Sequence, residues 1–300
     1  MQDIKNKKYM NPKENERSLR FEYARETVYE EDSGISKVLD VLIPEDELID
    51  HDQRLFQIQH IKTELTWYTI HFEIRAVIEA LRNEDYSRAD SLMERIILLA
   101  DAPYRALRVF VNTLTQSSLL RMRAKLPEGA TGFDSPGMRN LKLVTKVLWK
   151  ELVKALKEHG YTPKSFAILR SDTERISILP DRLALLSHVY DGIQKFDVKL
   201  MEWKQLHLRM VWGHLGGASA HIEESIELMD HHVRKSKSCP YGNTKDTDKN
   251  EDDFGIPTSL RGRPVTDLQR VTVAPFFPEL WKIPDVVYQH MKSKNDKDFY

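Results

Sequence analysis

The sequence predicts an all-α protein, a helical bundle. Apolar residues recur at the helical period over several long segments. No segment of convincing length alternates apolar and polar residues as strands do, and no repeat of fixed period is present. With 41% hydrophobic residues, the 300-residue chain has ample apolar material for a buried core.

Five segments carry the helical period, after an N-terminal stretch that lacks it. Residues 1–20 are rich in lysine, asparagine and glutamate, so we expect a flexible arm followed by a single domain over 21–300. Pro103 is expected to separate two helices, and Gly160 to end another. The predicted helices span 52–81, 86–99, 104–122, 141–159 and, as one long helix or a closely joined pair, 183–212.

Two segments between the predicted helices have the composition of loops. Residues 126–137 concentrate glycine and proline, and loops of this kind between rigid helices often carry binding groups. Residues 235–264 are rich in lysine, aspartate, asparagine, glycine, serine and proline, over a length that ordinary connections do not reach. We expect a mobile lid there, with a disordered insertion as the alternative.

Bulk composition excludes several classes of partner. Lys+Arg 45 against Asp+Glu 46 leaves no global field that would favour nucleic acid or an anionic membrane. No apolar run approaches the roughly 18 to 20 residues that cross a bilayer, and no secretory signal is expected. The single cysteine, Cys239, excludes an internal disulfide and fits a reducing cytoplasm.

Two histidines on separate predicted helices lie on apolar faces. His60 follows Phe56 by four residues, so both side chains should project from one face. His207 lies on an apolar stripe that continues through Met210 and Val211. A lone histidine on such a face is more often an ordinary core residue, but the pair indicates a buried cofactor between the two helices. Haem iron on one histidine would leave the opposite face open to oxygen, where a second histidine can move a proton.

Three regularly spaced histidines are an alternative metal site. His207, His214 and His221 recur every seven residues, a spacing that zinc or non-haem iron could use. Glycines at 213, 216 and 217 argue against a continuous helix through all three, so this spacing is more simply fortuitous. The sequence has neither the HExxH motif nor the Glu-x-x-His pair of di-iron bundles.

Arg121 and Arg123 lie near the end of a predicted helix, just before the glycine-rich loop. A guanidinium there can bind a substrate carboxylate through two hydrogen bonds. On spacing alone, however, surface cations that stabilise the helix C-terminus are the simpler interpretation.

Four segments of the chain carry motifs with characteristic spacing, and they cover most of residues 50–285. The first is His51 to His60 with Thr63-Glu64-Leu65, and the second is Gly132-Phe133-Asp134-Ser135 with Arg139. The third is Trp203-x-x-x-His207 with Arg209-Met210-Val211, and the fourth is Phe277-Pro278-Glu279-Leu280-Trp281. In this order they resemble the signature HDExLFxxxHQxxEL, the GFQS…R loop, the proximal-histidine helix and the FPELW segment of the tryptophan 2,3-dioxygenase family.

The resemblance implies a helical bundle of the tryptophan 2,3-dioxygenase type with a buried haem b, and a homo-oligomer, dimer or tetramer, in which the N-terminal segment helps to close a neighbour's site. His207 would be the proximal ligand of the haem iron. His60 would be the catalytic distal histidine facing an indole N–H, and Phe56 a wall of the pocket.

The resemblance also implies two further substrate-binding residues. Arg123 would bind the amino-acid carboxylate, with Arg121 as the alternative because of an apparent one-residue insertion at 127–129. Thr131 stands where the family's loop carries a serine near the haem edge.

The sequence departs from the family at the pocket. The family's GTGGSSG loop has only a shortened counterpart at 216–219, its tyrosine four residues before the arginine is replaced by Leu119, and its glutamine after the distal histidine by Ile61. With these departures, the sequence resembles the wider haem-dependent aromatic oxygenase superfamily. We therefore expect a haem-dependent oxygenase that inserts oxygen from O2 into an aromatic amino acid or indole-type substrate. The alternatives are a monooxygenase that hydroxylates tyrosine or a related phenol with O2 or peroxide, and a non-catalytic haem-binding helical protein.

Overall fold

The computed structural model describes residues 8–126, 132–172, 179–216 and 272–294. These residues form two compact units, one within Met1–Lys62 and Leu114–Leu126 and the other within Thr63–Thr113 and Pro127–Tyr300. We call them unit 1 and unit 2. The predicted all-α class is confirmed, since the only strands among the described residues are two of two residues each. No described helix has the length and apolar character needed to cross a bilayer.

Unit 1 combines a small hairpin with short helices. Strands β1 and β2 pair antiparallel, with Lys8 opposite Tyr23. Because β1 lies within residues 1–20, part of the segment expected to be a flexible arm forms a strand of this hairpin. Its small core of Met10, Tyr23 and Leu42 also packs against Ile58 and Ile61. The elements of unit 1 are β1 (Lys8–Tyr9), β2 (Glu22–Tyr23), α1 (Val28–Ser33), α2 (Ile35–Asp40), the beginning of α3 (Asp52–Arg82) and α5 (Gln116–Arg123). Helix α4, which lies between α3 and α5 in the chain, belongs to unit 2.

Unit 2 is built on long helices that share one apolar core. The fully buried residues of this core include Ile74, Met93, Leu148 and Phe196, one from each of its four longest helices. Helices α8 and α4 pack against each other along much of their length. The helices of unit 2 are the rest of α3, α4 (Tyr86–Thr113), α6 (Pro136–Glu158), α7 (Pro163–Arg170), α8 (Asp181–Leu215), α9 (Pro278–Trp281) and α10 (Ile283–Lys294).

The predicted break at Pro103 is wrong, because α4 runs through it from Tyr86 to Thr113. A proline inside a helix has no N–H to donate and costs about 3 kcal/mol. Here Pro103 is buried on the same stripe as Ala100, Ala106 and Leu107. Burial of that stripe in the packed bundle outweighs the lost hydrogen bond, since tertiary packing routinely overrides local propensity.

The other helix boundaries follow local signals. Thr115 caps α5 by accepting a hydrogen bond from the Ser118 N–H. Helix α6 begins earlier than predicted, because Ser135 is its N-cap and Pro136 occupies the first turn, where proline is favoured. The predicted stop at Gly160 is confirmed, with Gly160 at φ +82 directly after the C-cap. Segment 183–212 forms one continuous helix, α8, and the expected lid at 235–264 lies outside the described residues.

The contact between α4 and α8 depends on a glycine. A Cβ atom added to Gly192 of α8 would lie 2.9 Å from Met93 Cβ. Gly213, on the same helix, has no atom within 4 Å of its added Cβ. The first glycine is therefore a packing requirement, whereas the second is not.

We expect Gly192→Ala to lower the free energy of unfolding by about 1 to 3 kcal/mol, because the added methyl group overpacks a buried helix contact. Gly213→Ala is the matched control and should raise it by about 0.5 to 1 kcal/mol, the usual gain for a helical glycine replaced by alanine. Urea denaturation of both variants checks the pair. Equal effects of the same sign would contradict the assigned close contact.

Candidate active site

The distal motif lies in unit 1, in the first turns of α3. The rings of Phe56 and His60 stack at 4.1 Å between centroids, tilted by 39°. His60 Nδ1 lies 2.7 Å from the carbonyl oxygen of Phe56. A backbone carbonyl only accepts hydrogen bonds, so Nδ1 carries the proton and Nε2 is the acceptor nitrogen of the neutral ring. This ring contact confirms the prediction that Phe56 and His60 project from the same face of the helix.

The two candidate arginines have different surroundings within unit 1. Arg121 Nε donates to the Asp50 carboxylate at 2.9 Å, and a second guanidinium nitrogen donates to the same oxygen. Ser118 Oγ also donates to Asp50, at 3.1 Å. The hydrogen bond from Arg121 is the main reason why the pKa of Asp50 lies below its ordinary value. Arg121 thus forms an ion pair with Asp50 within unit 1.

The predicted proximal histidine lies in unit 2, on α8. His207 is half-buried, and its ring stacks on that of Trp203 at 5.4 Å and 21°. Trp203 in turn packs edge-to-face with Trp67, which is fully buried on α3, at 5.3 Å between ring centroids. These two ring contacts restrict the orientation of the Trp203 and His207 rings. The imidazole of His207 therefore stands on a rigid aromatic support.

The alternative metal site based on three histidines is only partly described. His214 is buried on α8, and its Nδ1 donates to the Met210 carbonyl at 2.7 Å. Helix α8 continues through Gly213 and ends at Leu215, with Gly216 as its C-cap. His221 lies outside the described residues. Within the described part of the chain, no three histidine, cysteine or acidic side chains are grouped as a metal site would require.

Glu64 joins α3 to the glycine-containing loop. It belongs to the first signature segment, but the sequence pattern did not predict a role for it. Its carboxylate accepts hydrogen bonds from Ser135 Oγ and, at 2.9 Å, from the Gly137 N–H. Ser135 Oγ also accepts from the Met138 N–H at 3.1 Å, which caps α6. Thr131, on the same loop, lies outside the described residues.

Asp197 holds the C-terminal signature segment against α8. Its fully buried carboxylate accepts hydrogen bonds from the Phe276 and Phe277 N–H groups, at 2.9 and 3.2 Å, and from Trp281 Nε1 at 2.8 Å. Lys204 of α8 donates to the Ala274 carbonyl. Sequence reasoning missed both residues, although two charged residues on an otherwise apolar face of one helix would have been the signal.

The buried ammonium of Lys204 makes the stability depend on pH. Desolvation by burial lowers its pKa from 10.5 to about 8. Below about pH 8 the side chain is charged in the folded and the unfolded chain alike. Between about pH 8 and 10.5 only the unfolded chain keeps the proton, so the free energy of unfolding rises with pH through this window.

We expect the difference in unfolding free energy between wild type and Lys204→Met to grow in favour of wild type from about pH 7 to about pH 10, because methionine cannot release a proton. Lys199 on the same helix is the matched control, since a hydrogen bond to Asp101 raises its pKa. For Lys199→Met the difference should change little up to about pH 10 and shrink only at higher pH, where the unfolded chain loses its proton before the folded chain does. Urea denaturation at each pH measures both, and parallel trends would contradict the assignment.

Comparisons with known proteins agree with the signature segments. No family model matches the chain. It is 24% identical over 242 residues to tryptophan 2,3-dioxygenase 1 of Ralstonia nicotianae, covering 78% of this chain and 80% of that protein. It is 23% identical over 269 residues to the tryptophan 2,3-dioxygenase of Cupriavidus necator, covering 87% and 88%, and 23% identical over 242 residues to that of Ralstonia pickettii, covering 78% and 84%. The chain is thus distantly similar to tryptophan 2,3-dioxygenases over most of its length.

Proposed function

We propose that the protein is a haem-dependent oxygenase that uses O2 to oxidise an aromatic amino acid or indole-type substrate. The observation that carries this proposal is the similarity to enzymes named tryptophan 2,3-dioxygenase over more than three quarters of both chains. The fold supports it, because the distal and proximal signatures both fall on long helices, α3 and α8.

The donor set of the described residues fits haem. A haem iron takes a single imidazole from the protein on its proximal side, whereas a zinc site takes three or four protein ligands. His207 is a half-buried imidazole on a rigid helix, and the described residues group no three metal-ligating side chains. We assign His207 as the residue that would hold haem b. When bound, haem supplies a redox-active iron that binds O2.

His60 and Phe56 supply the substrate-facing chemistry in this proposal. Because Nδ1 of His60 donates to the Phe56 carbonyl, Nε2 is oriented as an acceptor and can receive a hydrogen bond, or the proton, of an indole N–H. The Phe56 ring packs on the imidazole at 4.1 Å and limits its rotation. An aromatic substrate can stack on the exposed part of such a ring.

The proposed substrate carries a carboxylate, which Arg123 would bind. Arg123 is the last residue of α5 and is half-buried, whereas the neighbouring Arg121 pairs with Asp50. The departures from the family point to a changed pocket. Leu119 is buried in α5, and Ile61 packs on the core of unit 1, so two polar residues of the family are replaced by apolar ones. We therefore propose an aromatic amino acid or indole derivative rather than tryptophan alone.

The proposal also includes two segments outside the described residues and the assembly of the chain. Thr131 remains a proposed substrate-binding residue, and residues 235–264 a proposed lid that would exclude water from the site. A homo-oligomer remains the proposed assembly.

Purified wild-type protein should show the Soret absorption band of haem, shifted on reduction, and should add oxygen atoms from labelled O2 to its substrate. His207→Ala should lose the normally ligated spectrum, because the iron loses its proximal imidazole. Absorption spectroscopy and product mass spectrometry measure the two effects. A product that gains two oxygen atoms indicates dioxygenation, and one that gains a single atom indicates hydroxylation.

The matched control for this test is His214→Ala, which removes a buried histidine two turns further along α8. It should keep the wild-type Soret band. A normal spectrum in His207→Ala, or its loss only in His214→Ala, would overturn the assignment of the proximal ligand.

Arg123→Met should raise KM for carboxylate-bearing substrates by about tenfold or more, since a hydrogen bond to a charged group contributes about 1.5 to 3 kcal/mol. Decarboxylated analogues should be little affected. Arg121→Met is the matched control and should lower stability through loss of the Asp50 pair, without discriminating between the two substrates. Selectivity lost in Arg121→Met alone would assign the role to that residue instead.

A further inference from the structure

The hairpin of unit 1 borders a cavity of about 290 Å³, which we call the arginine cavity. Its described lining residues are Tyr9, Asn15, Arg17, Arg20, Glu22 and Arg25. Every one of these side chains except that of Glu22 carries a hydrogen-bond donor. Three guanidinium groups and a single carboxylate give the wall a net positive charge, and cations that share one cavity repel each other. This composition indicates a ligand that is anionic and rich in hydrogen-bond acceptors.

The guanidinium groups keep donors available for such a ligand. Arg20 Nε donates to a backbone carbonyl at 2.7 Å, and its guanidinium lies over the Tyr9 ring at 5.6 Å from the centroid. Arg25 Nε donates to the Glu22 carboxylate at 2.5 Å. Within the part of the chain that the structure describes, the terminal nitrogens of both arginines and the side chain of Arg17 have no hydrogen-bond partner. Terminal guanidinium N–H groups can bind an oxyanion through two parallel hydrogen bonds.

Hydrogen bonds within the hairpin hold the cavity wall in place. The Asn11 side chain donates to the Leu19 carbonyl at 2.9 Å and accepts from the Phe21 N–H at 3.0 Å. Tyr9 is paired with Glu22 across the two strands, so these two lining side chains project from the same face of the hairpin. A ligand therefore does not have to order this wall, which lowers the entropic cost of binding.

Arg25 lies between two residues with strained backbones. Ala24 and Glu26 have φ of +60° and +58°, in the left-handed region that residues with a side chain rarely adopt. The Arg25 N–H donates to the Glu30 carboxylate at 2.8 Å, which helps to hold the chain in this conformation. Such strain persists only where the surroundings impose it, and it clusters at ligand-binding segments. The strain is an observation independent of charge that supports a binding role for this segment.

We propose that the arginine cavity binds a phosphate group, either as inorganic phosphate or as the monoester of a small molecule. A phosphate monoester carries about −1.5 to −2 charges at neutral pH and has three strong acceptor oxygens, which suits three guanidinium groups and one carboxylate. A carboxylate ligand carries a single charge on two oxygens and would leave more of the donors unpaired. The volume is at the small end of ligand sites, so the organic part of the ligand is small.

Titration calorimetry of the full-length protein with inorganic phosphate, at an ionic strength held constant with chloride, tests this site. Saturable binding of one phosphate per chain is expected. Acetate should bind at least about tenfold more weakly, because it lacks the second charge and the third acceptor oxygen. Equal heats for phosphate and chloride, an adventitious ion only, would overturn the proposal.

Arg17→Gln is the most informative variant, because its side chain has no described partner whose loss would disturb the fold. Its Kd for phosphate should rise about tenfold or more, since a hydrogen bond to a charged group is lost. Lys37→Gln is the matched control, which removes the same charge from an exposed position of α2 outside the cavity. Its Kd should change less than about twofold. An equal loss of affinity in both variants would overturn the site, because only the overall charge would then matter.

Two further titrations identify what carries the phosphate. Binding of glycerol 3-phosphate that is weakened by Arg17→Gln would support a soluble monoester. Binding only to vesicles that contain phosphatidic acid, with the same dependence on Arg17, would assign the phosphate to a lipid headgroup. None of these titrations requires haem or turnover, so their outcome is independent of the proposed oxygenase function.

Discussion

The buried side chain of Trp67 is the constraint on which the arrangement of unit 2 depends. Its Cβ leaves no room for any side chain at Gly137 of α6, and its ring packs edge-to-face with Trp203 on α8. One indole thus fixes α3 against two other helices. Aromatic pairs of this kind contribute beyond the area that they bury, and their edge-to-face geometry restricts sliding. Because Trp203 stacks on His207, the same contact sets the position of the proposed haem ligand.

One buried and one half-buried carboxylate, those of Asp197 and Glu64, dock two of the four signature segments onto the long helices. Glu64 accepts from the start of α6, and Asp197 accepts from the backbone and indole N–H groups of the C-terminal segment. An ionised carboxylate has about four acceptor positions and no donor, so it suits places where several N–H groups converge. Its burial is tolerated only with such partners, because an unsatisfied buried charge is very costly. The motifs around these carboxylates serve the architecture as much as the chemistry.

The candidate catalytic histidine, His60, and the candidate haem ligand, His207, are oriented by different local contacts. His60 has its tautomer set by the carbonyl four residues earlier, which leaves Nε2 as an acceptor. His207 has its ring plane set by stacking on Trp203. A proton acceptor needs a defined tautomer, whereas a metal ligand needs a defined direction of its lone pair. The local contacts of each residue therefore match the role proposed for it.

The sequence by itself determined the fold class, the long helices α3 and α8, the stop after α6 and the resemblance to tryptophan 2,3-dioxygenases, because periodicity, caps and signature spacing are local properties of the chain. Tertiary structure decided the rest. Helix α4 continues through Pro103 because a buried stripe outweighs one lost hydrogen bond. Arg121 pairs with Asp50, and Glu64 and Asp197 accept hydrogen bonds from partners more than 70 residues away in sequence. Such partners cannot be identified by period or spacing, since long-range contacts between side chains exist only once the helices have packed.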